Sequence, residues 1–177
     1  MQAKRYHPVL TTMHWLLAVL LIALLAGGTF SLKVLPNSSP EKIDLLRMHM
    51  LLGGGILVTM VLRLVVRLTT AHPPAASTGN AMLDKLAPWV HWILYALVFA
   101  MAGSGIATAA LAGLPDTVFF GTGSLPTNFD AYPPRAVHGI VAKLLMLTIG
   151  LHAAAALYHQ FVKRDGLLSR MWWGARY

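Results

Sequence analysis

Residues 136–162 read AVHGIVAKLLMLTIGLHAAAALYHQFV, an apolar run interrupted only by His138, Lys143, His152 and the His159-Gln160 pair among strongly polar side chains. A helix needs about 20 mainly apolar residues to cross the hydrocarbon core of a bilayer, and this run exceeds that. It reads as a membrane-spanning helix. From His138 to His152 the chain advances by about 1400°, some 40° short of four whole turns, so both imidazoles share one face about 21 Å apart. Polar side chains inside a span are costly and face the bundle interior. Two imidazoles on one stripe, at two depths, point to something bound at each level.

The rest of the chain agrees with a membrane setting. Of 177 residues 56% are hydrophobic and 11% charged, which separates the chain from soluble globular domains. Three further segments, 9–32, 45–68 and 88–111, are long enough to span, and runs of this length without period-2 alternation are helices. The expected fold is all-α, a single four-helix transmembrane bundle occupying residues 1–177. Segment 9–32 is too long for a secretory signal and carries His14 near its start, so it is read as a retained helix. Pro73, Pro74 and the Ala-Ser-Thr-Gly-Asn stretch after them mark a linker between the second and third helices. The longest loop, 112–135, with Phe119, Phe120 and Phe129, reads as an ordered cap, and the tail from Arg170, with Trp172 and Trp173, as an interfacial anchor.

Orientation follows the cations. Lys4, Arg5, Arg63, Arg67, Lys85, Lys163, Arg164, Arg170 and Arg176 gather at one end of the bundle, against Lys33, Lys42, Arg47 and Arg135 at the other. The positive-inside rule then places both termini in the cytoplasm of a bacterial inner membrane, and the formal charge of +8 faces anionic lipid headgroups. Topology accounts for the basicity, and no nucleic-acid-binding pattern is present.

Depth sorts the other histidines. His49 enters the second helix at the level of His138, and His14 enters the first at the level of His152. His91, early in the third helix, lies nearly as deep as His14 and is a second candidate partner for His152. Paired imidazoles filling both axial positions of an iron favour electron transfer over gas binding. The chain has no cysteine, which excludes thioether attachment, thiolate ligation and iron–sulfur clusters, so any haem is b-type and non-covalent. Zinc would want four ligands converging on one point, whereas these histidines form two levels. Gly28, fourteen residues after His14, and Gly53, one turn beyond His49, would let a macrocycle lie close, or serve ordinary helix packing.

These residues carry a resemblance. His14-Trp15, Met48-His49, RLVVRL at 63–68 and GLHAAAAL at 150–157 followed by His159 are similar to the bacterial di-haem cytochrome b561 family, and within it to its superoxide oxidase members. The resemblance implies that His14, His49, His138 and His152 ligate two haems b, with His14 rather than His91 opposite His152. It also implies superoxide oxidation at the periplasmic side and reduction of ubiquinone toward the cytoplasm.

Several side chains are then candidates for supporting roles. Arg63, fourteen residues after His49, falls at the inner level, where it could pair with a haem propionate, and Arg67 lies one turn further out; snorkelling is the alternative for both. His91 could hydrogen-bond a propionate or a quinone carbonyl, with interfacial packing as the alternative. His159, seven residues beyond His152, is placed to protonate reduced quinone, against a plain solvated helix end. Lys143 points away from the histidine stripe and is read as snorkelling to the periplasmic surface; His7 and His72 are given no role. Lys33, Lys42, Arg47 and Arg135 would form a cationic field drawing superoxide to the outer haem. Two other functions remain open: a cytochrome b subunit relaying electrons between a partner dehydrogenase or hydrogenase and quinone, and a haem or metal carrier without turnover. The sequence leaves open a homo-oligomer or a redox partner subunit.

Overall fold

A computed structural model describes residues 3–175, apart from 76 and 78 and the side chain of 83. Arg176, counted above among the cations, lies outside the described residues. All regular structure among the described residues is helical. Four helices are long and apolar enough to cross a membrane. They are α1 (Pro8–Gly27, prolonged by a wider π turn at Gly28–Leu32), α2 (Glu41–Thr69), α3 (Ala81–Leu111) and α5 (Pro133–Tyr158, prolonged by a π turn at His159–Lys163). Between α3 and α5 lie a short helix, α4 (Leu114–Phe120), and a 3-10 turn, Phe129–Ala131; a second 3-10 turn, Leu167–Met171, follows α5.

The helix starts explain where these bounds depart from the expected ones. Proline opens α1 and α5, where its missing N–H costs nothing. His7 accepts from Val9 N at 3.3 Å and so caps α1. The second helix begins at Glu41 rather than 45 because Glu41 and Asp44 suit the positive end of a helix dipole. The third begins at Ala81 rather than at Pro88: the Asn80 carboxamide oxygen accepts from Met82 N at 3.0 Å, and Pro88 is carried inside the helix.

Packing divides the bundle into two pairs. Most of the contact is made by α1 with α2 and by α3 with α5, and the pairs are joined more sparsely, chiefly through α2 and α3. Leu17, Leu25, Ile56, Met60, Tyr95, Val98 and Leu145 form the mid-bundle core. The outward faces carry exposed Val19, Val58, Leu147 and Leu151, apolar surface that lipid covers. The 112–135 loop does form a cap. Gly113 (φ 62°) and Gly121 (φ 68°) bracket α4 in left-handed backbone, and Leu114 and Val118 are buried against Leu46 and Ala109. Phe129 packs beneath this cluster, whereas Phe120 stays 76% exposed.

Four crossings bring both chain ends to one side, and there they are tied together. Trp15 Nε1 donates to Met171 O at 2.9 Å, Trp173 Nε1 to Thr12 Oγ1 at 3.2 Å, and Tyr6 N to Arg170 O at 3.1 Å. Arg5 reaches Trp173 O at 3.0 Å, and Arg170 reaches Pro74 O at 2.7 Å. His72 lies edge-on to Tyr6. The tail is thus a strap across the start of α1 as well as a pair of half-exposed indoles.

Candidate functional site

Helix α5 contributes one histidine to each of two levels. His138 faces His49 of α2, and His152 faces His14 of α1, with ring centroids 6.2 Å apart in both pairs. A first-row metal binds an imidazole nitrogen at about 2.0–2.1 Å and that nitrogen lies about 1.1 Å from its ring centre, so rings on opposite sides of one ion have centroids about 6.2–6.4 Å apart. The two pairs have the spacing of axial ligands. Their interplanar angles, 68° and 73°, do not alter this, since a ring can turn about its metal–nitrogen axis. His91 sits 5.4 Å from His152, short of that spacing, and its Nδ1 lies 3.0 Å from Ala87 O on its own helix. Of the two candidate partners for His152, His14 alone stands at that spacing.

At the outer level α3 orients the ligand face. His138 Nδ1 donates to Met101 O at 3.1 Å and lies 3.2 Å from Ser104 Oγ, which itself donates to Met101 O at 3.0 Å. Such a bond holds the ring with Nε2 free for a metal. A Cβ on Gly105 would come within 3.1 Å of His138 Cε1, so the imidazole rests against bare helix backbone. Gly28 lies opposite His49, where a Cβ would stand 3.7 Å from Cε1, as its depth on α1 predicts. Gly53, Leu24, Met50 and Ala102 help line a cavity of about 180 Å³ that opens between His49 and His138, with almost wholly apolar walls suited to a macrocycle. Nothing in the histidine spacing points to α3 here; the only trace is the Gly103-Ser104-Gly105 run in a helix interior.

The inner level holds an uncompensated cation. Arg63 donates from Nη1 to Tyr95 Oη at 2.6 Å, its Nη2 lies 3.5 Å from His14 Nδ1, and its buried Nε has no partner. Among the described residues no carboxylate lies within ion-pair reach of it. A guanidinium in a span is expensive unless an anion or a hydrogen-bonding acceptor meets it, so the unfilled Nε fits an acid carried by a cofactor. Arg67, expected one turn further out, lies over the Trp92 ring at 5.8 Å, a cation–π contact.

His159 is not a solvated helix end. Its side chain is 8% exposed, and its Nδ1 lies 2.5 Å from Asp165 Oδ2, a partner the sequence reading did not single out. Lys143 is exposed on the outward face of α5, as expected. The cationic field, by contrast, is smaller than its four members suggest. Lys42 is 4% exposed, its ammonium bonded to Leu32 O and, at 2.7 Å, to Leu35 O, where it closes the end of α1. Arg47 donates to Val118 O at 2.7 and 3.0 Å and pairs with Asp44 at 2.6 Å, fastening the cap. Exposed Lys33 and half-buried Arg135 remain.

Spanning helices with paired imidazoles at two depths define a membrane electron carrier of the cytochrome b class. The chain belongs to the prokaryotic cytochrome b561 family, whose profile matches residues 5–174. It is 33% identical over 174 residues to a probable superoxide oxidase, CybB, of Yersinia pestis, covering 95% of this chain and 96% of that protein. It is 27% identical over 174 residues to cytochrome b562 of Cereibacter sphaeroides (96% of each) and 25% identical over 177 residues to cytochrome b561 homolog 2 of Escherichia coli (95% and 91%). Members of the family bind haem b and move electrons across the membrane, and this chain is a multi-pass protein of the bacterial inner membrane.

Proposed function

We propose that His49 and His138 hold one haem b and His14 and His152 a second, and that the chain oxidises superoxide at the α1–α2 loop side and reduces ubiquinone toward the side of its termini. The observation that carries this is the repetition of one 6.2 Å imidazole spacing at two depths on α5. Held by two imidazoles each, the haems would supply one-electron carriers. The chain's own part is to hold the four rings, exclude water with its apolar walls, and set charge at each end. Arg63 and Tyr95 offer the inner acid group its counter-charge and a hydroxyl. Arg135 and Lys33 supply the field that draws in an anion, and the excess of Lys and Arg on the termini's side supports a cytoplasmic placing of the quinone end. Two superoxide anions give up two electrons and leave as dioxygen; ubiquinone takes those electrons with two protons and becomes ubiquinol. His159 supplies one of the protons.

The purified protein tests this directly. It is expected to carry two low-spin b haems per chain, His49→Ala and His138→Ala losing the same one and His14→Ala and His152→Ala the other. A superoxide pulse should reduce ubiquinone, with a rate that falls as salt rises and drops roughly tenfold in Arg135→Glu, because screening and charge reversal both weaken steering. One haem per chain overturns the ligand assignment. Two haems without superoxide-dependent quinone reduction would leave a relay from a partner subunit.

A further inference from the structure

Where α5 ends, the chain makes an arrangement that haem binding does not require. The helix widens into the π turn His159–Lys163 and reverses through Arg164 (φ 52°) and Gly166 (φ 73°), which brings Asp165 back beneath His159. One carboxylate oxygen, Oδ2, lies 2.5 Å from His159 Nδ1; the other, Oδ1, accepts from Leu167 N at 3.0 Å and starts the last 3-10 turn. The imidazole is buried, 8% exposed, while the carboxylate, 32% exposed, reaches water. Most of the packing on this turn comes from α5 and Leu167–Met171, and the linker reaches it where a Cβ on Gly79 would stand 3.8 Å from Lys163 Nζ. The nearby titratable and charged groups on these elements and on the reversal are His152, Tyr158, Lys163, Arg164, Asp165 and Arg170.

We infer that Asp165 is a positioning residue for proton delivery to quinone: it holds Nδ1 of His159, leaving Nε2 as the nitrogen that gives its proton to the acceptor. This rests on the proposed quinone reduction. A carboxylate on one imidazole nitrogen fixes the tautomer and orientation of the ring and stabilises its protonated form, the part an aspartate plays for histidine in hydrolases. In the step itself the Nε2–H bond breaks and an O–H bond forms on one quinone oxygen. The imidazolium becomes neutral imidazole, still donating from Nδ1 to Asp165. The two electrons come from superoxide, and water supplies the proton for the second oxygen and recharges Nε2.

Asp165→Asn should slow superoxide-driven ubiquinone reduction about tenfold, the loss typical of an outer partner of a functional histidine. It should also change the pH profile of that activity, since the carboxylate no longer faces the imidazole. Asp165→Glu should restore both. Because Asp165 also starts the terminal turn, the decisive comparison is made in His159→Gln: there Asp165→Asn should add nothing if it acts through the imidazole. Haem content and optical spectrum report folding in every variant. Failure of the wild type to reduce ubiquinone would sink the parent reading. A wild type that does so, with an unshifted pH profile in Asp165→Asn or a full further loss in His159→Gln, would overturn this inference alone.

Discussion

Two glycines stand against the outer histidines at different distances, and the difference is a measurable one. A methyl at Gly105 would press on His138 Cε1 at 3.1 Å, while a methyl at Gly28 would meet His49 Cε1 at an ordinary 3.7 Å. The His138 ring cannot simply retreat, because Met101 O and Ser104 Oγ hold the adjacent Nδ1, itself 3.4 Å from that methyl. Gly105→Ala is therefore expected to weaken binding of the outer haem by about tenfold or more, and Gly28→Ala to leave it nearly unchanged, read from haem-to-protein ratio and the outer haem's optical band. At the inner level His91→Ala should keep both haems, since its ring stands at the wrong separation from His152; loss of a haem in that variant would reinstate it as a ligand.

At the scale of the element, the tail shows how one carboxylate couples a turn to pH. Hydrogen bonding from His159, chiefly, holds the Asp165 carboxyl below the usual carboxylate range. A group whose folded pKa is depressed contributes stability that is present above its unfolded pKa and lost as pH falls through the folded one. The strap from Leu167 to Trp173 should thus stay attached through mildly acidic conditions and loosen only below the ordinary carboxylate range. Fluorescence of the tail indoles, or proteolysis at the tail, would follow it, and in Asp165→Asn that acid transition should vanish. The strap's other end is tied by Trp15 Nε1 to Met171 O. Removing that bond in Trp15→Phe should cost about 1 kcal/mol, seen as faster amide exchange in the tail.

For the bundle, the proposed roles of the two histidine levels depend on sidedness. Four crossings force the termini together, and the heavier load of Lys and Arg at their end assigns them to the cytoplasm. A cysteine introduced in the loop at residue 34 or 38, both exposed, should therefore react with an impermeant label added outside intact cells. Labelling confined to inverted vesicles would exchange the two levels and put His159 on the periplasmic face. The sparse join between the α1–α2 and α3–α5 pairs carries a second consequence: each histidine level spans that join, so haem should stabilise the bundle against thermal unfolding by mass action, and haem-depleted protein should melt earlier.

Along a single helix, rise and rotation per residue are local constants, and for that reason the sequence by itself determined the four crossings, the two depths, the shared stripe of His138 and His152, and the placing of Gly28 beside the outer level. Depth, however, says nothing about how each helix turns about its own axis or which neighbours it meets, because those depend on side chains of different helices filling the same space. Packing between helices is what sets the His14 and His91 rings at different separations from His152, brings Tyr95 to Arg63, buries Lys42 at the end of α1, and puts Ser104 and Gly105 behind His138. His159 shows the division most clearly. Its position seven residues beyond His152 was legible at once, but its burial and its carboxylate partner exist because the chain reverses after Lys163 and folds the acid back onto the ring, a contact set by tertiary packing and not by helical period.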